Sequence, residues 1–380
     1  MQEKFIYLDN NATTPIDPRV LEAMMPYLTD LYGNASSSHK MGKQIGTAVQ
    51  KARTQVGDLL DVNAEDIYFT SGATEAINIV LQGIPARDRL CKHIITVETE
   101  HPAVLDTCQY LETIGVEVSY LPVAVDGGID FQLYNSSFKE NTVLVCIMTA
   151  NNESGRLQDI NQLAQVAREK DVLFMTDATQ AIGKIPFSAE GIDIVAMSAH
   201  KFYGPKSVGA IYINPYIKLS PLIYGGGHER GLRSGTLGVA NIIGMGKAAE
   251  LVSGELEEDS QRISDLRGML RELLESQVDG ATALISSEVN QIPNTLNIRF
   301  EGINNDALVL GLKDICISNG SACHSFVMEP SHVLLAMGLS KEEANESVRF
   351  SLGRFNTEKE IKQTVEAVKN LVTRLRAMAF

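Results

Sequence analysis

The chain has 380 residues, 44% of them hydrophobic, enough for a large core and, at roughly 150 residues per domain, about two domains. Lys and Arg total 33 against 47 Asp and Glu, a net charge of -14, which argues against direct binding to nucleic acid or an anionic membrane because phosphate neutralisation needs a basic face. The longest apolar runs, such as VLVCIM at 143–148, fall far short of the ~20 residues of a membrane span, and the opening MQEKFIYLDNN lacks a basic region followed by an apolar one, so a cytoplasmic location follows.

From about residue 67, short β-rich runs alternate with amphipathic stretches. IYFT (67–70), IITV (94–97), VEVSYL (116–121), VLVCIM (143–148), VLFMT (172–176), DIVAM (193–197) and GAIYI (209–213) read as strands, with helical periods between most of them. This alternation predicts an α/β domain with a mostly parallel sheet. A helical zone runs from about 237 to 275 and is expected to break at the acidic cluster GELEEDS, 254–260. A second domain is placed from there. It has its own strands, TLNIRF (295–300) and SVRFSLG (347–353), and closes with a helix opened by a capping box between Thr357 and Glu360. That helix sets Ile361, Val365, Val368, Val372 and Leu375 along one buried face. The boundaries are a large domain over 15–253 and a smaller one from 1–14 and 254–380.

In an open α/β sheet, ligands bind outside the carboxyl ends of the strands. Those positions here are polar. After IYFT comes SGATEA, where a glycine turn and the hydroxyls of Ser71 and Thr74 open a helix in the way that presents N–H groups to a phosphate; an ordinary helix cap is the alternative. After VLFMT come Asp177 and Gln180, and after DIVAM come Ser198, His200 and Lys201. A lysine just past a buried strand can serve as a Schiff-base nucleophile once burial lowers its ammonium pKa. Joined to a carboxylate at another strand end and a helix N-terminus, it matches the needs of pyridoxal phosphate: an amine for the aldehyde, a carboxylate for the ring nitrogen and donors for the phosphate. Competing motifs fail. GGGHERG at 225–231 has Arg230 where a dinucleotide fingerprint needs glycine, and GPKS at 204–207 has proline where a P-loop needs glycine. A zinc site from Cys316, Cys323, His324 and His332 lacks a second close Cys or His pair.

YLDNNATTP (7–15), GNASSSH (33–39), FTSGATEA (69–76), His101 in TEHPAV, ANNESG (150–155), DATQAIGK (177–184), SAHKFYGPKSVGA (198–210), GGGHERGLRSGT (225–236), NGSAC (319–323), EPSHVL (329–334) and RFSLGRFNT (349–357) together resemble the cysteine desulfurases of the NifS/IscS type, nearly end to end. The resemblance implies the fold type I transferase architecture of pyridoxal-phosphate enzymes, with a mostly parallel seven-stranded sheet in the large domain and a smaller α+β domain. It implies Lys201 as the lysine that holds the cofactor, Asp177 at the pyridine nitrogen, and His101 stacked on the ring and active in proton transfer. Gln180 and Asn152 would bond the ring hydroxyl, Thr74, Ser198 and His200 the phosphate, and Thr236 would reach it from the other subunit of a homodimer. Asn152 and Arg349 would hold the carboxylate of the substrate, L-cysteine, which leaves as alanine.

The five cysteines, Cys91, Cys108, Cys146, Cys316 and Cys323, cannot all pair and show no regular spacing, so reduced thiols are expected. Cys323 stands out. Asn319, Gly320, Ser321 and Ala322 precede it, the setting of a loop thiol and not of a core one. The resemblance gives it the sulfur as a persulfide, to be passed to an acceptor protein for iron–sulfur cluster assembly or thio-modification of nucleic acid. His324 and SFVM depart from the small and polar residues expected there, and the acceptor is placed beside 323–329 on Phe326, Val327 and Met328, the alternative being that these three fold back and pin the loop. Aminotransfer would not need this thiol; selenocysteine lysis, or a sulfur-transfer subunit with weak turnover of its own, would leave the same cofactor residues.

Overall fold

The computed structural model describes residues 5–84, 92–319 and 329–378. The chain opens with a short strand, β1 (Ile6–Tyr7), and two helices, α1 (Pro18–Thr29) and α2 (Lys40–Leu60). Asp17 caps α1 by accepting from the Arg19 N–H, and Pro18 sits at the first helical position, where a missing N–H costs nothing.

Strands and helices then alternate: β2 (Ile67–Thr70), α3 (Ala73–Gly83), β3 (His93–Val97), α4 (Pro102–Thr113), β4 (Glu117–Leu121), α5 (Phe131–Ser136), β5 (Thr142–Cys146), α6 (Ile160–Glu169), β6 (Leu173–Asp177), β7 (Ile194–Ser198) and β8 (Gly209–Ile213). Seven of these strands, β2 to β8, form one sheet in the order β2-β8-β7-β6-β5-β3-β4. All pairs are parallel except those of β8, which runs antiparallel to both its neighbours. The strands at the middle of the sheet are buried along nearly their whole length because both faces are covered. On one side Ile77 and Val80 of α3 and Val104 and Leu111 of α4 pack against Ile94, Leu144 and Ile194. On the other, Val49 and Val56 of α2 and Ile160 and Leu163 of α6 pack against Ile95, Val145 and Val195.

The helix α7 (Val239–Gln277) corrects the expected break at 254–260: its 39 residues run unbroken through the acidic cluster. Two arginines account for this. Arg354 takes Asp259 at 2.6 Å and Glu255 at 3.3 Å, and Arg19 also pairs with Glu255, so the repulsion that would melt the helix is neutralised from outside it. The same helix serves two cores. Ile242, Met245, Ala249 and Val252 pack under the large sheet, whereas Ile263, Leu266, Leu270 and Leu274 belong to a second cluster.

That second cluster is built from β9 (Ala281–Ala283), β10 (Thr295–Phe300), α8 (Asn305–Gly311), β11 (Ile315–Cys316), β12 (Ser347–Ser351) and α11 (Glu358–Met378), while Val333 of α9 (His332–Ala336), the helix before α10 (Lys341–Asn345), packs with Ile285 and Met337 in a small separate cluster. β10 lies between β12 and β9, antiparallel to both, and β1 pairs in parallel with β11. α11 begins with the expected capping box: Thr357 N–H donates to Glu360 and Glu360 N–H to Thr357 Oγ1. Ile361, Val365, Val368 and Val372 are buried along its inner face. Between the two cores runs the N-terminal segment. Leu8 is buried in the second cluster, Asn10 N–H bonds to Ser351 O, and Thr14 N–H reaches His200 O at 2.8 Å. Among the described residues no helix is long and apolar enough to cross a membrane.

Candidate active site

β5, β6 and β7 end side by side, and the residues just beyond them meet α3, α4 and the N-terminal segment around a cavity of about 430 Å³. Nine residues singled out from the sequence line it together: Ser71, Thr74, His101, Asn152, Asp177, Gln180, Ser198, His200 and Lys201. The strand ends put them there. Asp177 closes β6, Ser198 closes β7, and Lys201 closes the single helical turn, Ala199–Lys201, that follows.

One end of the cavity is suited to an anion. The first N–H groups of α3 have no partner within the helix. Ser71, Thr74, Ser198 and His200 line the cavity beside them. The turn before α3 is pressed onto β8: a Cβ on Gly209 would lie 2.5 Å from Met197 O and 2.7 Å from Gly72 Cα, so only glycine permits the approach. His200 Nδ1 lies 3.1 Å from Thr13 Oγ1. Burial, followed by Lys201, Lys206 and Lys184, pushes its imidazole down to about 4, so the ring is neutral at pH 7. Behind the turn, burial works against the Glu75 carboxylate, but hydrogen bonds from Arg233 and Ser71 hold it below the usual carboxylate range.

At the other end Asp177 is buried, with Oδ1 accepting from Thr179 N–H at 2.9 Å. Lys201 Nζ donates to the main-chain carbonyls of Asn11 at 2.7 Å and Ala12 at 2.8 Å. His101 is the N-cap of α4, and its Nδ1 accepts from Ala103 N–H at 3.1 Å, which leaves the proton of the neutral ring on Nε2. Burial, with Lys201 and His332 adding and Asp177 opposing, keeps its pKa below the ordinary histidine value. Thr179 Oγ1, on the same wall, is buried without a partner. An amine, a carboxylate, an unpaired buried hydroxyl and a helix N-terminus around one cavity form the donor set that pyridoxal phosphate requires, and the residues fit it.

Three singled-out residues stand elsewhere. Thr236 is exposed and off the cavity wall. Arg349, on β12, lies behind Asn152: it donates to Asn152 O at 2.9 Å and to Asp9 Oδ1 at 2.7 Å, while its buried Nε has no partner. Cys323 lies outside the described residues, as do Cys91, His324 and the 326–328 apolar run. A second cavity of about 430 Å³ shares His101 and Asn152 with the first and is also lined by Ser331 and His332. Both are fixed there: Ser331 Oγ donates to the buried Glu153 at 2.5 Å, and His332 Nε2 bonds to Glu100 O at 2.9 Å. Burial raises the Glu153 carboxyl, against the Ser331 bond and the charges of Arg349 and His332. The remaining described thiols are poor nucleophiles. Burial pushes Cys108 up to about 12, Cys146 well above the ordinary thiol, and Cys316 above it.

Two residues of the site escaped the sequence reading. Asn11 meets Lys201, Gln180, Asn152 and Thr295, and Lys184 is buried beside it. Both stand inside quoted motifs, YLDNNATTP and DATQAIGK, but neither position has a periodicity that would mark it.

Residues 6–364 match the class-V aminotransferase family. The chain is 46% identical to the cysteine desulfurase IscS of Anaeromyxobacter dehalogenans strain 2CP-C, across 98% of this chain and 94% of the relative. Among solved structures, a NifS-like protein superposes with a TM-score of 0.92 at 38% identity, covering 97% of this chain and 99% of its own. SspA in complex with cysteine superposes with a TM-score of 0.82 at 35% identity, covering 93% and 100%. The chain belongs to the class-V aminotransferase family, as a pyridoxal-phosphate enzyme of the NifS/IscS type.

Proposed function

We propose that this chain is a cysteine desulfurase that converts L-cysteine to L-alanine and passes the sulfur, through a persulfide on Cys323, to an acceptor protein of iron–sulfur assembly or thio-modification. What carries this reading is the convergence of Lys201, Asp177, His101 and the α3 N-terminus on one cavity, in a chain related along its length to proteins of that activity. When bound, pyridoxal phosphate supplies an electron-withdrawing ring that takes up the electron pair left at the substrate's α-carbon.

The chain's own groups do the rest. Lys201 Nζ would hold the cofactor aldehyde and, when free, would be the base placed to take the substrate's α-proton. Asp177 would face the ring nitrogen and keep it protonated. Thr74, Ser198, His200 and the first N–H groups of α3 would hold the phosphate. His101 offers Nε2–H to the cavity; for the ring to carry a proton on Nδ1 it must release Ala103 N–H, so its part in proton transfer is tied to the cap of α4. Asn152 would orient the substrate carboxylate, and Arg349 would join it by giving up its bonds to Asn152 O and Asp9 for the carboxylate. The Cys323 thiolate attacks the substrate sulfur. An S–S bond forms, the C–S bond breaks, its electron pair returns to the substrate carbon, and protonation there completes alanine. No external oxidant or reductant is needed. Thr236 serves the phosphate of a second copy in a homodimer, and a cytoplasmic location accords with the use of a reduced thiol.

The test is direct. The purified protein should show a visible absorbance band that Lys201→Ala abolishes. With L-cysteine it should release alanine and carry one extra sulfur on Cys323 by mass spectrometry. Cys323→Ser should keep the band and its response to cysteine but transfer no sulfur. Persulfide chiefly on another cysteine, or alanine release undiminished in Cys323→Ser, would refute the assignment.

A further inference from the structure

Behind the cavity wall lies an amine for which the reaction described above has no use. Lys184, four residues after Gln180, is 8% exposed. Its Nζ donates to Gln180 Oε1 and, at 3.0 Å, to Asn11 Oδ1. Both partners are neutral amides. Burial, ahead of the charges of Lys201 and Arg349, therefore drives the Lys184 ammonium well below the ordinary lysine range. An apolar side chain of similar volume would fill this space without that cost, so packing does not account for the amine. Its N–H groups do: even as a neutral amine it has a hydrogen for each of two acceptors.

The two amides are those that shape the wall. Asn11 uses every polar atom of its side chain. Oδ1 also accepts from Asn294 at 2.9 Å, and Nδ2 donates to Asn152 O at 3.0 Å and to Thr295 Oγ1 at 2.7 Å. Its main-chain carbonyl takes both Lys201 Nζ and, at 3.0 Å, Gln180 Nε2. Gln180 thus has its oxygen committed to Lys184 and one N–H to Asn11. What it has left for the cavity it lines is its second N–H.

We propose that Lys184 is a positioning residue of the cofactor site: by tying Gln180 and Asn11 together it fixes the Gln180 amide as a donor toward the cofactor's ring oxygen and holds the Asn11 carbonyl that meets Lys201. Without it, the Gln180 oxygen would be buried unpaired, and the amide would be free to turn an acceptor toward another acceptor. The inference rests on reading the cavity as the pyridoxal-phosphate site.

The experiment is a double-mutant cycle on cofactor binding, read by titrating the cofactor-free full chain with pyridoxal phosphate and following the visible band. Lys184→Met should weaken binding about tenfold, the size expected for a hydrogen bond lost at a dry site. Lys184→Gln, which keeps N–H donors, should recover part of it. In a Gln180→Leu background, Lys184→Met should cost less than about twofold more, because the group it positions is already gone. Binding by Lys184→Met equal to the parent's would overturn the proposal, as would losses that multiply fully in the double variant. If Lys184→Met fails to fold, the same cycle run with Lys184→Gln decides: full multiplication overturns the proposal and non-additivity supports it. A parent chain that forms no visible band with pyridoxal phosphate would instead overturn the cofactor reading itself, an outcome distinct from a silent Lys184 variant.

Discussion

His200 enters the active site as a neutral ring, and that choice has a thermodynamic consequence. Its pKa falls from 6.5 to about 4, so between those values the unfolded chain binds more protons than the folded one. Its contribution to stability is fully present above pH 6.5 and is lost as the pH falls toward 4. Urea midpoints measured over this range should decline on acidification, and His200→Asn should flatten part of that decline by removing the titrating group. Equal slopes for parent and variant would contradict the buried neutral ring. At this scale the sequence was informative about residues that close a strand. Asp177, Ser198 and Lys201 are legible because an apolar run stops and a polar group begins. Lys184 and Asn11 are not, because their meaning lies in a contact between positions 173 residues apart. Arg349 was legible as an arginine of the resemblance, but its position behind Asn152, engaged with Asp9, depends on how β12 lies against the N-terminal segment.

Among the elements, those whose signal is internal were readable. The seven strands of the large sheet each carry a short apolar run between turns, and α11 carries both its capping box and its apolar spacing. β1 and β11, of two residues each, have no internal signal and exist because they pair with one another. α7 misled for the reverse reason: its acidic cluster reads as a break until Arg19 and Arg354 arrive from distant segments. The turn between β2 and α3 depends on a neighbour in the same way, through Gly209. Gly209→Ala would force its Cβ against two backbone atoms, Met197 O and Gly72 Cα, neither of which can rotate away. We expect a loss of about 1–3 kcal/mol in stability, the usual range for overpacking. Because the displaced turn opens α3, the affinity for pyridoxal phosphate should fall with it. A variant that loses stability and keeps full cofactor affinity would show that α3 does not hold the phosphate.

For the whole molecule, the decisive residue is one that the single chain leaves outside its own site. The 225–236 loop is anchored to the body: Glu229 accepts from Arg53 at 2.7 Å through both carboxylate oxygens and from Phe69 N–H, all buried, and Arg233 pairs with Glu75 at 2.7 Å. The loop is therefore held in place, yet Thr236 at its end faces outward. Leu21, Met25 and Leu28, at spacings of four and three residues along α1, are also exposed, as is Tyr224 beside the loop, so the monomer shows apolar surface together with an outward-facing hydroxyl. The proposed homodimer with shared sites would account for both. It can be tested by exchanging subunits between Lys201→Ala and Thr236→Ala proteins, each crippled alone. In a mixed dimer one site would carry both defects and the other neither. Random mixing makes half the dimers mixed, with one intact site in each, so about a quarter of the parent's desulfurase activity should return. If each chain serves its own site, every site in the mixture keeps one defect and the activity stays at the mean of the two unmixed variants. A monomer by light scattering with full activity would exclude sharing altogether.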